Sequence, residues 1–97
     1  MRTVEENKVE VLKVLNIIDY FKKVRGLSVN EVSRILNLNR RIINYWENGD
    51  YKRGIKNETL YIDVIKNVLD YYEGKTVTLE KEKHFLETLK NRYNKLN

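Results

Sequence analysis

The sequence predicts an all-α fold of about five helices in a single domain, residues 1–97. In most of the chain, apolar residues recur at three- and four-residue intervals, which is the spacing of one helix face. Gly26, Gly49 and Gly74 each follow such a segment, where a left-handed residue commonly ends a helix. Residues 75–79 instead alternate in the manner of a strand. We therefore expect helices separated by glycine-containing turns.

The amino-acid composition excludes several classes of protein. Hydrophobic residues make up 41% of the chain and charged residues 34%, which fits neither a disordered chain nor a membrane protein. No apolar run approaches the ~20 residues that span a bilayer. The chain has no cysteine, which excludes disulfides, thiolate catalysis and the usual structural zinc sites. The charged amino-terminal segment lacks the apolar core of a secretion signal, so we expect a cytoplasmic location.

The first helix is expected to run from about Glu5 to Arg25. Its apolar residues are spread too widely around the helix for a single stripe, which predicts burial on two sides. Part of this helix is therefore a candidate for contact with a second subunit. The apolar residues of the segment are Val9, Val11, Leu12, Val14, Leu15, Ile17, Ile18, Phe21 and Val24.

Residues 28–49 predict a helix-turn-helix, in which two short helices are joined by a three-residue turn. Ser28 and Glu31 have the spacing of a capping box, in which each side chain bonds the backbone N–H group of the other residue. This pattern marks the start of the second helix. Trp46 is expected to lie in the core and to hold the third helix on the scaffold.

The turn of this motif has residues suited to each of its three positions. Asn37 tolerates the left-handed conformation, and Leu38 is expected to enter the core. Asn39 is a favourable residue for capping the next helix. These residues therefore support a turn that ends one helix and begins another.

The chain after this motif predicts two further helices. The fourth helix is expected at residues 58–73, with Asn57 or Thr59 as its cap. Residues 75–79 are either a short strand, able to serve as a wing, or an extended linker in which Thr78 caps the last helix.

The last helix is expected at about residues 79–96, with apolar residues at alternating three- and four-residue intervals. This is the a/d pattern of a coiled coil, although it extends over only about two heptads. We expect this face to form a homodimer, in preference to packing on its own domain. The face consists of Leu86, Leu89, Tyr93 and Leu96.

Positive charge is concentrated on the second half of the helix pair and on the loop after it. The whole chain has a net charge of +5, and residues 34–56 contain six cations and two anions, a net charge of +4. Residues 57–79 contain two cations and four anions, a net charge of −2. Such a local excess of positive charge is expected of a surface that binds phosphates.

The third helix, residues 39–48, is the candidate for insertion into the major groove of double-stranded DNA. Arg40 and Arg41 lie in its first turn, where an arginine can bond guanine. Asn44 lies one turn later, where it can either read adenine or bond a phosphate. Asn39 is expected either to cap the helix or to contact a base, and the capping role is preferred. The candidate base-contacting residues are therefore Asn39, Arg40, Arg41 and Asn44.

Contacts to the DNA backbone are expected from three places. The amino end of the second helix presents N–H groups and a helix dipole to phosphates. The outward Tyr45 presents a hydroxyl group, and the loop after the third helix presents cations. The candidate phosphate-contacting residues are Ser28, Asn30, Tyr45, Lys52, Arg53 and Lys56.

Two short segments carry a resemblance to a known family. Residues 25–28 (Arg-Gly-Leu-Ser) and residues 46–49 (Trp-Glu-Asn-Gly) are its most specific points. Residues 18–69, about half the chain, resemble the phage-repressor (Cro-like, Xre-type) helix-turn-helix family. The resemblance implies that residues 39–48 form a DNA-recognition helix and that residues 60–69 form the fourth helix of the family.

The chain departs from this family at several positions. Ser33 stands where the family usually has alanine, and Asn37 where it usually has glycine. Val29 replaces a glutamine whose side chain contacts the DNA backbone in the family. Ile35 and Ile42 stand at positions that tend to be polar, so they contact either the first helix or a partner subunit, or, for Ile42, a thymine methyl group.

Residues 41–47 (Arg-Ile-Ile-Asn-Tyr-Trp-Glu) are also similar to the recognition helix of MerR-type and excisionase-like winged-helix proteins. A wing would then come from residues 50–60 or from residues 75–79. Chains of that group generally begin close to their helix-turn-helix, whereas this chain has a long preceding helix. The phage-repressor resemblance is therefore preferred, and both imply DNA binding.

The sequence therefore predicts a homodimer that binds double-stranded DNA, a transcriptional regulator of repressor type. His84 is remote from the motif, and no paired carboxylates, glycine-rich phosphate loop or nucleophile–base set is recognisable. We expect no enzymatic activity, no metal or other cofactor, no membrane contact and no small-molecule ligand. Two alternatives stay open: an architectural or accessory DNA-binding factor of excisionase or plasmid-partition type, and a protein-interaction module that retains the fold.

Overall fold

The computed structural model describes residues 4–52 and 60–96. Within these two ranges the chain is mostly helical and contains no strand, which confirms the all-α prediction. The helices are α1 (Val4–Asp19), which continues into a π-helical turn (Tyr20–Val24), α2 (Val29–Leu36), α3 (Arg40–Glu47), α4 (Leu60–Tyr72) and α5 (Glu80–Leu96).

The first helix changes its geometry before it ends. It was expected to be regular from Glu5 to Arg25, but the last turn is π-helical, and the N–H group of Leu27 donates to the carbonyl of Phe21 at 3.0 Å. A π-helical turn rotates the residues that follow it relative to a regular helix. Phe21 remains fully buried, and Gly26 then reverses the chain with a φ of 67°.

One core joins all five helices. Its fully buried side chains come from α1, the π-helical turn, α2, α3 and α4, and α5 closes the core by packing on α4. Trp46 has no exposed surface, which confirms its predicted place in the core. The largest fully buried side chains are Trp46, Phe21, Ile18, Leu36, Ile43 and Ile65.

The amino end of α4 is capped from a distant part of the chain. The N–H group of Tyr61 donates to the Glu10 carboxylate on α1 at 2.7 Å. An acceptor at this place satisfies one of the N–H groups that a helix leaves unpaired in its first turn. Asn57 and Thr59, the predicted caps, lie outside the described residues.

The segment before α5 is not a strand. Residues 75–79 form no ladder with any described part of the chain, so of the two alternatives the strand or wing is wrong and the linker is found. The helix begins at Glu80, and the Leu79 carbonyl accepts a bond from the N–H group of Lys83 at 3.0 Å. Leu79 therefore occupies the capping position that was expected for Thr78. Five alternating residues without a neighbouring strand gain no ladder hydrogen bonds, which explains the difference.

The apolar face of α5 packs mainly on its own domain. Leu86 and Leu89 are buried in the core, and Tyr93 is half-buried against it. This corrects the assignment of the a/d face to a dimer interface, because Leu86 and Leu89 are already buried within the chain. Leu96 alone of the four is exposed. Homodimer formation itself stays a prediction.

We predict that Leu89→Ala lowers the free energy of unfolding by about 2–5 kcal/mol, the usual range for a fully buried leucine. Leu79→Ala, at the exposed start of the same helix, should change it by less than about 0.5 kcal/mol. Urea denaturation at two protein concentrations measures both. A loss for Leu89→Ala that appears only at the higher concentration would place Leu89 in a dimer interface instead.

Candidate nucleic-acid interface

The start of α2 is built by the predicted capping box. Ser28 has extended backbone angles, its hydroxyl accepts from the N–H group of Glu31 at 3.2 Å, and its own N–H group donates to the Glu31 carboxylate at 3.4 Å. The Ser28 hydroxyl also donates to that carboxylate at 3.1 Å. Both polar groups of Ser28 are thus engaged within the box. The N–H groups of Val29 and Asn30 follow in the first turn, where a helix supplies no internal acceptor.

The turn between α2 and α3 has the predicted geometry. Asn37 is left-handed, with φ 55° and ψ 45°, and the N–H group of Leu38 donates to the carbonyl of Ser33 at 3.0 Å. The Ser33 hydroxyl donates to the Leu38 carbonyl in return. Leu38 is half-buried and packs against the core. Serine at position 33, where the resembled family has alanine, thus bonds the turn to the helix before it.

Asn39 caps α3 as predicted. Its side-chain oxygen accepts from the N–H group of Arg41 at 2.8 Å. This bond shows the capping role directly, and the NH2 group of the side chain is not part of it. The side chain of Asn39 remains at the exposed end of the helix.

The two faces of α3 are sharply divided. Ile43 and Trp46 are fully buried, while Arg40, Arg41 and Asn44 are exposed. Because residues four positions apart lie on one side of a helix, Arg40 and Asn44 share a face, and Arg41 lies next to them. The structure therefore brings three of the four candidate base-contacting side chains together on the solvent side of α3.

A hydrogen bond joins two of the predicted site residues. The guanidinium of Arg40 donates to the side-chain oxygen of Asn30 at 3.1 Å. Asn30, expected to contact a phosphate, thus also restrains the side chain of Arg40 from the neighbouring helix. Sequence spacing does not reveal this pair, since the contact depends on how α2 and α3 pack.

The carboxyl end of α3 is held to the scaffold. Glu47 forms an ion pair with Lys22 of the π-helical turn at 2.8 Å. Gly49 has a φ of 90°, and its N–H group donates to the carbonyl of Trp46 at 3.0 Å. The N–H group of Asp50 then donates to the carbonyl of Tyr45 at 2.9 Å. Lys52 is exposed just beyond this ending.

The remaining candidate phosphate-contacting residues are Tyr45, Arg53 and Lys56, and Ile35 and Ile42 are the apolar departures from the resembled family. Tyr45 is 38% exposed beside the polar face of α3. Arg53 and Lys56 lie outside the described residues. Ile35 and Ile42 are half-buried and pack against the chain's own core, which accounts for apolar side chains at these two positions.

One buried polar cluster was not foreseen from the sequence. The guanidinium of Arg25 donates to the Tyr72 hydroxyl at 2.7 Å and to the Glu82 carboxylate at 2.9 Å. Glu82 is buried, although an isolated carboxylate rarely is, because Arg25 pairs with it. Arg25 ends the π-helical turn and stands three residues before Ser28. The cluster therefore connects α4 and α5 to the entrance of the helix-turn-helix.

The cluster changes the acidity of its phenols. Burial, together with hydrogen bonding to Glu82, raises the pKa of Tyr72 above its ordinary value of about 10. Burial and the neighbouring Glu82 charge also raise the pKa of Tyr20, whose hydroxyl lies beside this cluster. Both effects favour the neutral phenol, so the folded cluster resists ionisation of its tyrosines.

Comparison of the chain with protein-family models, with curated proteins and with solved structures gave no match. The described residues contain no group of side chains that would hold a metal ion. None of the helices within 4–52 and 60–96 is long and apolar enough to cross a bilayer. The geometry of α2 and α3 is therefore the basis on which a function can be inferred.

We predict that the free energy of unfolding falls as the pH rises above about 10. Because the pKa of Tyr72 is higher in the folded state than in the unfolded state, only the unfolded chain loses this proton between the two values. The stability that Tyr72 contributes is fully present below its pKa in the unfolded chain. Above that pKa the free energy of unfolding falls by up to about 1.4 kcal/mol per pH unit for each proton involved.

Tyr72→Phe should make this alkaline decline less steep, while the variant is less stable at neutral pH because Arg25 loses an acceptor. Urea denaturation between pH 8 and about pH 11 measures both slopes. Tyr45→Phe, which removes one phenol hydroxyl outside the Arg25–Tyr72–Glu82 cluster, is the matched control. Equal slopes for all three proteins would contradict the role given to Tyr72.

Proposed function

We propose that this chain binds double-stranded DNA by placing α3 in the major groove and that it acts as a cytoplasmic transcriptional regulator of repressor type. The observation that carries the proposal is the division of α3 into two faces. Ile43 and Trp46 fix one face in the core, and Arg40, Arg41 and Asn44 project from the other. A helix held in this way presents hydrogen-bonding side chains on a rigid support.

The chemistry of these side chains suits base edges. The planar guanidinium of an arginine bonds O6 and N7 of guanine together, and an asparagine side chain bonds N6 and N7 of adenine. Each such pair discriminates against a wrong base by about 1–3 kcal/mol. Asn30 restrains Arg40 before binding, which reduces the conformational entropy that Arg40 loses on the DNA.

The surroundings of α3 suit the DNA backbone. The first turn of α2 presents the N–H groups of Val29 and Asn30, and an anion is favoured at this end of a helix. Lys52 adds a cation beyond the other end of α3. Arg53 and Lys56 continue the basic segment in sequence. Glu47, the anion at the end of α3, is paired with Lys22.

Binding should be strongly dependent on salt, because cations on the protein displace ions from the phosphates. We expect fluorescence anisotropy with labelled genomic fragments to show tight binding at low salt that weakens steadily as salt is added. An absence of binding at low salt would refute the proposal. Footprinting then separates a regulator, which protects one short site, from an architectural factor, which protects an extended array.

Two substitutions separate base reading from phosphate binding. We predict that Arg40→Ala reduces the preference for the best site over a scrambled site by about 1–3 kcal/mol. Lys52→Ala should weaken binding to both sites equally and reduce the salt slope by about one unit. Both are measured by anisotropy with the two duplexes.

Lys81→Ala removes the same charge from the exposed start of α5 and serves as the control for Lys52→Ala. It should leave both the affinity and the preference close to those of the wild type. If Arg40→Ala weakened binding to the two duplexes equally, Arg40 would be a phosphate contact and the assignment of α3 to base reading would fail.

A further inference from the structure

One face of α1 is left uncovered by the rest of the described chain. Glu5, Val9, Leu12 and Asn16 are spaced by four, three and four residues, so they lie on one side of the helix. Val9 is 51% exposed and Leu12 is 40% exposed, whereas the opposite side of the helix is buried in the core. The exposure of Val9 and Leu12 explains why this segment contains more apolar residues than one buried stripe requires.

An amphipathic groove continues this face toward the end of α5. It has a volume of about 410 Å³ and runs between α1 and the last turns of α5. Leu96, 48% exposed, supplies an apolar wall. The residues that line the groove are Lys13, Asn16, Tyr61, Arg92, Lys95 and Leu96. Asn16 belongs to both surfaces, so the α1 face and the groove are continuous.

Two of the cations in the groove are held in place by one tyrosine. The ammonium group of Lys13 lies 5.4 Å from the centre of the Tyr61 ring, and the guanidinium of Arg92 donates to the Tyr61 hydroxyl at 2.8 Å. Lys95 is exposed beside them. The groove is thus a basic site whose cations are oriented before anything binds.

The other end of α1 has the opposite charge. Glu5, Glu6 and Lys8 are exposed there, a net charge of −1, whereas the Glu10 carboxylate accepts from the N–H group of Tyr61 and does not belong to this face. Val9 and Leu12 lie between this acidic end and the basic groove. Along α1 the surface is therefore acidic, then apolar, then basic. Two such surfaces are complementary when they pack in antiparallel orientation.

We propose that a second copy of this chain packs on the exposed face of α1, with the two α1 helices antiparallel across a twofold axis between Val9 and Leu12. In this arrangement Val9 of each copy meets Leu12 of the other. Glu5 of each copy lies opposite Asn16 of the other, next to the basic groove and Lys95. Burial of the apolar residues gives the affinity, and the charges select the antiparallel orientation.

This dimer does not depend on DNA binding. It differs from a coiled coil of α5 helices, because Leu86 and Leu89 are already buried within each chain. If the proposed function holds, the dimer also supplies the pair of recognition helices that a palindromic site requires.

Analytical ultracentrifugation of the full chain without DNA tests the proposal. The wild type should show a monomer–dimer equilibrium over a concentration series. Leu12→Lys and Val9→Lys should each weaken dimerisation by at least about tenfold, since both place a charge in the apolar centre. Leu79→Lys, which alters a 60% exposed leucine at the far end of α5, should leave the equilibrium unchanged.

A charge exchange tests the orientation. Glu5→Lys and Lys95→Glu should each weaken the dimer, and the chain with both substitutions should recover most of the wild-type affinity. Circular dichroism confirms that each variant is folded, and Val9→Lys carries the test if Leu12→Lys does not fold. A wild type that stays monomeric at every concentration, equal effects of Leu12→Lys and Leu79→Lys, or no recovery in the double variant would overturn the proposal.

The outcomes for the two proposals are separable. A dimer that lacks affinity for DNA would overturn the proposed function and leave the α1 interface intact. Conversely, a monomeric wild type that binds DNA with strong salt dependence would overturn the interface alone.

Discussion

The burial of Ile43 and Trp46 is the constraint on which the proposed interface depends. An eight-residue helix is not stable by itself in water, so α3 exists because its apolar face is packed in the core. That packing determines which residues face outward. Once Trp46 is buried, Arg40 and Asn44 must project from the other side of α3. The Asn39 cap and the Glu47–Lys22 ion pair then fix its two ends.

The Arg25–Tyr72–Glu82 cluster has a related role at the entrance to the motif. It costs desolvation energy, so its contribution to stability is smaller than its short distances suggest. Its main effect is geometric, because one guanidinium bonds side chains of both α4 and α5. Arg25 thus ties the segment before α2 to the carboxyl-terminal helices, in addition to the direct bond from the Asn67 side chain on α4 to the Leu36 carbonyl on α2. The helix-turn-helix is therefore held by an apolar contact, the burial of Ile43 and Trp46 under α3, and by a polar contact, the Arg25 cluster before α2.

Local interactions were the ones that the sequence predicted well. The Ser28–Glu31 capping box, the left-handed Asn37 and the Asn39 cap each involve bonds between residues a few positions apart, so the pattern of residue types is sufficient. Trp46 was placed in the core by helical spacing together with its size. The exposure of Arg40, Arg41 and Asn44 followed from the same spacing.

Contacts between distant segments were not predictable in this way. Periodicity showed that α5 has an apolar face. It does not distinguish a face that packs on α4 from one that packs on another chain. For this reason Leu86 was assigned to the wrong surface. Alternation at residues 75–79 likewise indicated a strand without a neighbour to pair with. The Glu10 cap of α4 and the Asn30–Arg40 bond join segments far apart in sequence. Only the packing of the whole chain reveals them.

Methylation interference tests most directly whether the exposed face of α3 reads bases in the major groove. Methylation of guanine N7 blocks the major groove, whereas methylation of adenine N3 blocks the minor groove. On a selected binding site, we predict interference at guanine N7, with Arg40→Ala insensitive to methylation of one particular guanine. Interference confined to adenine N3, or an unchanged guanine pattern in the variant, would contradict the claim.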